Sequence, residues 1–430
     1  MSAVQPSGFA ATLLSSPQAG DDAWWQQIAS VGTPLVETQD SERVRVTFLW
    51  RDPNGDEHHS AIQRVYADIN GVTDHHSTDP QSLARLPGTD VWHWSMVIEH
   101  DWRGSYSLIP IEAAQLPPAF SDDDQQRDDQ QRAWWCSLFP CAMADPLNLD
   151  RPWGTQLSAA HMPGAPPQQA WRAVDQGEAH GADPARLTVF DWQSELLGNQ
   201  RRIWLYTTGE SDIPAQRPLC LILDGQRWAD DTPLFSALDT ETAQGNLPPA
   251  VWLFIDAIDG ETRCRELPCD AAFWQAVQQE LLPQAARLTP FSDDPNRTVV
   301  AGQSYGGLAA LYAGLHWPQR FGRVLTQSGS FWWPNLQFIT DFDQHATLEP
   351  GVLVTQVRQG GRTASPLVIF QEAGRREADI AFVNQQMHEA LIAAGHQVYQ
   401  RVYAGGHDTL CWRGGLMDGC RWLLNHTHTR

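Results

Sequence analysis

The sequence predicts an α/β protein in two parts: an antiparallel β-sandwich, then a domain with a mostly parallel sheet between helices. Three observations predict it. At 430 residues the chain exceeds the size at which one hydrophobic core usually stops growing, so two domains are expected. Between about residues 40 and 112, apolar side chains alternate with period two, as on half-buried strands. Beyond about residue 185, short apolar runs alternate with stretches whose apolar residues recur every three or four positions, the pattern of strand–helix–strand units.

Taken in order, Asp22 to Ile28 is amphipathic and fits a short helix. Val44 to Trp50 alternates, Arg51-Asp52-Pro53-Asn54-Gly55 is turn chemistry, and Val91 to Val97 alternates again, which a small sandwich accounts for. Ser121 to Asp129 is too polar to enter a core and reads as a solvated or poorly ordered connector. The Pro-rich stretch Met162 to Gln169 reads as a second linker. The expected boundary lies between 165 and 185, giving a β-rich domain with its connector at 1–165 and a second domain at 185–430.

In the second domain the strand candidates are Arg202 to Thr207, Leu219 to Leu223, Val251 to Ile255, Thr298 to Ala301, Val324 to Gln327, Leu367 to Glu372 and Val398 to Val402. Helix candidates between them include Ala272 to Leu282, Gly307 to His316 and Ala381 to Ala394. No internal repeat is visible.

One of these strands leads into Gly302-Gln303-Ser304-Tyr305-Gly306, a serine between two glycines directly before a helical pattern. That is a nucleophile elbow, in which glycine leaves room for a turn tight enough to push the serine out of the sheet. The helix N-terminus beside Ser304 favours an oxyanion. Strand alternation plus elbow is the layout of an α/β-hydrolase, whose chain order is nucleophile, acid, histidine. His407, in Gly405-Gly406-His407-Asp408 after the final strand candidate, takes the last place; an ordinary surface-loop histidine is the bland alternative. For the acid, Glu377 is preferred in the loop after the preceding strand, with Glu372 and Asp379 as rivals, since such carboxylates often pair with arginines such as Arg375 and Arg376. The backbone N–H groups of Tyr305 and Gln226 are the expected oxyanion donors.

Composition narrows the partners. The formal charge of −22 argues against nucleic acid or an anionic membrane surface. No run of about 18 apolar residues suggests a membrane span, no secretory leader is legible, and seven scattered cysteines read as reduced thiols, so a cytoplasmic protein is expected. Oligomeric state is not legible.

Leu223-Asp224-Gly225-Gln226-Arg227-Trp228, Arg263-Cys264-Arg265-Glu266-Leu267, Ala301 to Leu308, Gln327-Ser328-Gly329-Ser330-Phe331-Trp332-Trp333-Pro334 and Gly405 to Arg413 together resemble, in that order, the enterochelin (enterobactin) esterases. The likeness covers about 185–425. It extends more weakly to Gly88 to His93, Arg103 to Tyr106 and Ala144 to Asn148. The resemblance implies hydrolysis of the trilactone of a catecholate siderophore, free or ferric, to dihydroxybenzoyl-serine units, with Ser304 as nucleophile and His407 as base. It implies no cofactor or protein-bound metal, because the iron arrives with the substrate. A glutamate stands where aspartate is commoner in the acid motif, which leaves the acid the least secure assignment.

A trianionic ferric siderophore on a strongly acidic chain needs local cations. Arg227, Arg263, Arg265 and Arg413, with Arg375 and Arg376, lie on candidate site loops. Trp228, Trp332, Trp333 and Trp412 on the same loops would offer faces to catechol rings, against the plainer expectation that they pack in the core. Trp92 and Trp94 are conceivable sugar platforms, though a lid or docking role suits the sandwich better. Two other readings stay open: a serine esterase on feruloylated or acetylated carbohydrate, and a non-catalytic binder of siderophore or glycan.

Overall fold

In the computed structural model, residues 4–150, 154, 156–336 and 350–426 are described. The chain divides into two compact units. The first is Met1–Pro167 with Ala404–Cys411, and the second is Gln168–Tyr403 with Trp412–Arg430.

The first unit carries strands β1 (Val4–Gln5), β2 (Leu35–Thr38), β3 (Arg43–Arg51), β4 (Ile62–Ile69), β5 (Ser82–Arg85), β6 (Val91–Glu99), β7 (Arg103–Glu112) and β8 (Ser158–His161). Their spatial order is β1-β2-β3-β6-β5-β4-β7-β8, antiparallel except for the short β1–β2 pair. Strand β5 pairs with β4 through Ser82 and Leu83 and with β6 through Ala84 and Arg85, which joins the two halves of the sheet. Phe48 and Trp50 of β3 share one core with Val65 and Ile69 of β4 and Tyr106 and Leu108 of β7, and Phe48 meets Tyr106 edge to face at 5.0 Å. This is the sandwich expected from the alternation.

Two expectations for this unit need correction. The stretch read as a solvated connector forms helix Asp124–Ser137, N-capped by Asp123, whose carboxylate accepts from the Gln126 N–H at 2.9 Å. Its inner face, Gln131, Trp134, Trp135 and then Leu138, is buried, with both tryptophans against Tyr66. Trp92 is no sugar platform either: it is 5% exposed, under the Arg85 guanidinium.

The loop Ala404–Cys411 belongs to the first unit although the strand before it lies in the second, which the sequence pattern does not foreshadow. Ala404 is buried in the sandwich core and its carbonyl accepts from Arg103 N–H at 3.0 Å. Asn70 Nδ2 donates to the His407 carbonyl at 3.1 Å, and Asp408 Oδ2 accepts from Ser105 N–H at 2.6 Å.

The second unit holds β9 (Leu187–Ser194), β10 (Asn199–Thr207), β11 (Leu219–Ile222), β12 (Val251–Ile255), β13 (Thr298–Gln303), β14 (Arg323–Gln327), β15 (Val368–Gly374) and β16 (Gln397–Tyr403), in the order β16-β15-β14-β13-β11-β12-β10-β9. From β12 to β16 the sheet is parallel, and the β9–β10 hairpin closes one edge antiparallel. The central strands are buried on both faces, as their continuous Val, Ile and Leu content demands. One apolar layer packs on each side, containing Trp274, Leu311 and Val354 on one and Phe235, Phe254 and Leu416 on the other. Among the described residues no helix is long and apolar enough to cross a membrane.

Candidate active site

Strand β13 ends at Gln303 and helix Tyr305–His316 begins two residues later, so the whole turn rests on Ser304. Its backbone sits at φ 58°, ψ −122°, a conformation a residue with a side chain rarely adopts. Three backbone hydrogen bonds hold it: Ser304 N–H donates to the Gln327 carbonyl at 3.0 Å, and its own carbonyl accepts from Ser330 N–H and from Leu308 N–H, each at 3.1 Å. A Cβ on Gly302 would lie 2.3 Å from the Gly306 carbonyl oxygen, so the close return of the chain requires glycine there. Ser304 Oγ, half-buried, lies 3.3 Å from Ser330 Oγ.

The helix begins at Tyr305, so the Tyr305 N–H is among the amides with no partner in their own helix. On β11, which pairs with β13, the chain likewise turns into helical structure at Gly225 and Gln226. Two helix N-termini thus rise from adjacent parallel strands at the same edge of the sheet.

Beneath this edge a buried polar chain crosses four strands. Trp228 Nε1 donates to Gln303 Oε1 at 3.0 Å, Gln303 Nε2 to Gln327 Oε1 at 2.8 Å, and Gln327 Nε2 to Glu372 Oε1 at 2.5 Å. Glu372 ends it in an ion pair with Arg401 of β16, at 2.6 Å. Burial raises the Glu372 carboxyl above the usual carboxylate range, against the downward pull of Arg401. Glu372 is therefore part of the sheet's interior.

Glu377 lies beyond the end of β15 and is differently held. One oxygen, Oε1, accepts from Tyr403 OH at 2.6 Å, Ser328 Oγ at 2.7 Å and Gly374 N–H at 2.9 Å. Ser328, at φ 49°, in turn accepts from Trp412 Nε1 at 2.9 Å. Ser328, Tyr403 and Trp412 come from three separate elements, so sequence proximity carried no sign of them. Asp379, the other rival, lies in the first turn of helix Ala378–Ala393.

The structure corrects several ligand-binding expectations. Trp228 is fully buried and Trp412 is 3% exposed, each with its indole N–H engaged internally. Trp332 is 6% exposed and packs 5.6 Å from Tyr305. These turns aim their large side chains into the two core layers, so the rings offer no open face. Trp333 is half-buried. Arg413 is 1% exposed, forked onto Asp175 at 2.6 and 2.8 Å and bonded to Gln168, which makes it a structural cation. Arg263 grips Asp224 at 2.6 and 2.8 Å beside the Tyr305 ring. Arg265 is exposed, and Arg227 is half-buried with its guanidinium 5.9 Å from the Trp412 ring centroid.

Residues 45–171 match the family described as enterochelin esterase, N-terminal, and residues 194–423 match the Esterase family. The iron(III) enterobactin esterase of Dickeya dadantii is 84% identical over 424 residues, covering 99% of this chain and 98% of that protein. The chain belongs to the enterochelin esterase family. The iron(III) enterobactin esterase of Escherichia coli K12 is 44% identical, with 94% of this chain and 97% of that one covered. Among solved structures, the ferric enterobactin esterase of Salmonella typhimurium matches with a TM-score of 0.82 at 46% identity, covering 94% of this chain and 98% of the other. The enterobactin esterase of Shigella flexneri, determined in the presence of enterobactin, matches with a TM-score of 0.78 at 43% identity over 94% and 98%. Membership in the family therefore spans both units and accounts for the sandwich as well as the elbow.

Proposed function

We infer that this chain is a serine esterase that hydrolyses the trilactone ester bonds of enterobactin, free or as its ferric complex, to dihydroxybenzoyl-serine units. The observation that carries the reading is the strained Ser304 elbow in a chain that matches iron(III) enterobactin esterases from end to end. A hydroxyl lifted out of the sheet between two helix N-termini is arranged for attack on an acyl carbon.

In this reading Ser304 Oγ attacks a serine-ester carbonyl while His407 takes its proton. The tetrahedral oxyanion accepts from the Tyr305 and Gln226 N–H groups. His407 returns the proton to the leaving alkoxide, and a water activated by the same imidazole releases the acyl group. Glu377 orients and stabilises the imidazolium, a role suited to a carboxylate held in one position by three donors. Each cut frees one serine hydroxyl and one carboxylate, and loss of the macrocycle loosens the hold on iron. The reaction requires no cofactor of the protein; iron is carried by the substrate. Arg227 and Arg265 are the cations proposed to meet the catecholate charge. A cytoplasmic setting is proposed with it, supported by seven cysteines that form no disulfide.

The test is product identification. Incubation with enterobactin, its ferric complex and a feruloylated sugar, followed by mass spectrometry, is expected to yield linear trimer, dimer and monomer of dihydroxybenzoyl-serine and no ferulate. Turnover of the feruloyl sugar alone would overturn the substrate assignment, and loss of neither siderophore form would overturn the activity.

A further inference from the structure

The parallel strands of the second unit have two edges, and Ser304 uses only one. At the other, the segments leading into β11, β13 and β14 enclose a cleft of about 600 Å³ lined by Arg217, Asp294, Arg297 and Arg323, with His426 after the last helix. Six residues of β13 separate it from the elbow, or about 20 Å at roughly 3.3 Å per residue. The cleft is therefore no part of the esterase site.

Arg323 opens β14 and is 6% exposed. Its Nη2 donates to the His426 carbonyl at 2.8 Å, while its Nε and Nη1 have no hydrogen-bond partner among the described residues. Arg217 Nε is in the same position, its Nη2 reaching only the Gly209 carbonyl at 3.3 Å. Arg297 stands exposed at the rim, braced on the Gln216 carbonyl. Two carboxylates also line the cleft, Asp212 and Asp294, and the latter spends Oδ1 on the Asn296 N–H at 2.8 Å. Three guanidinium groups thus face two carboxylates in a chain whose overall charge is −22.

A buried guanidinium with idle donors is costly, and such groups in folded proteins nearly always have a partner. Burial pulls the Arg323 pKa below the usual arginine range and Arg297 adds to this, with Asp294 opposing. Those nitrogens are closed to solvent, so an anion in the cleft would offset the cost of the clustered guanidinium charges and would not bond the idle donors themselves. Three forks arriving from separate chain segments suit a tetrahedral group, which shows oxygens in several directions, better than a planar carboxylate, which one fork satisfies.

We propose that this cleft binds a small oxyanion of the phosphate type, either free phosphate or the terminal group of a phosphomonoester. The inference stands apart from the esterase reading. Its test is calorimetric titration of the full chain with inorganic phosphate and with glycerol 3-phosphate, ionic strength being held constant with sodium chloride. Saturable binding of one equivalent is expected, weakened roughly tenfold in Arg297→Gln and roughly a hundredfold in Arg323→Met, with enterobactin hydrolysis unchanged in both. The tighter of the two probes identifies the source. Absence of saturable binding with either probe, or equal affinity in wild type and variants, would overturn the proposal. Should Arg323→Met fail to fold, Arg297→Gln, altered only at an exposed side chain, decides alone.

Discussion

Glu372 and Glu377 stand five residues apart at the same end of β15, yet their surroundings differ completely. Glu372 closes an internal polar chain and faces the Arg401 guanidinium from the neighbouring strand. Glu377 has passed the end of the sheet and is held through one oxygen by two hydroxyls and an amide. What separates them is strand register: β15 pairs Glu372 with Arg401 of β16, and Tyr403, two residues on, is the residue that reaches Glu377. A carboxylate matched by a cation inside a sheet serves cohesion, whereas one fixed beyond it by donors from three chain segments holds a set position at the sheet's end.

The widest way to break this contrast is to remove the chemistry it serves. Ser304→Ala is expected to lower turnover of enterobactin by about 10⁶-fold while siderophore binding and the thermal midpoint stay near wild type. His407→Ala should lose nearly as much, and the double variant little more than either, because the two act as one unit. Additive losses in steady-state assays would separate them.

Next in size, Glu377→Gln is expected to cut kcat by roughly 10²- to 10⁴-fold with KM little changed. Glu372→Gln should act on the other axis, costing about 3 kcal/mol in denaturant unfolding and leaving kcat of the folded fraction within a few-fold. If Glu372→Gln proves the more damaging to kcat, the two roles have been exchanged. A smaller effect sharpens the substrate side. Arg227→Ala and Arg265→Ala should raise KM for ferric enterobactin roughly tenfold or more while leaving a neutral aryl ester unaffected. Arg263→Ala, which strips Asp224 of its partner, should harm both substrates alike.

Sequence reasoning reached the parts whose signal is local. The parallel strands read as β-branched runs because burial on both faces leaves them no polar alternation, and the elbow read from its glycines. Helix Asp124–Ser137 escaped because its first turns are almost wholly polar; the usable sign was Gln131, Trp134, Trp135 and Leu138, at three- and four-residue spacing. At the site, chain order pointed to Ser304 and His407, but nothing local separates Glu372 from Glu377, since the partners that make their surroundings differ, Arg401, Ser328 and Tyr403, arrive from other elements. The tryptophans misled for a related reason: loop membership says nothing about whether a ring turns inward, and Trp228 and Trp412 do.

The loop Ala404–Cys411 makes the boundary near Pro167 a poor place to cut. A recombinant fragment beginning at Gln168 would contain Ser304, Glu377 and His407 in its sequence, with every expected triad member present. It would lack Asn70, Arg103 and Ser105, whose bonds to the His407, Ala404 and Asp408 groups tie down that loop in the intact chain. The amino-terminal sandwich is thus not a detachable module for this protein. Shuffling it for another domain, or expressing the hydrolase portion alone, would remove all three of these bonds from the histidine loop.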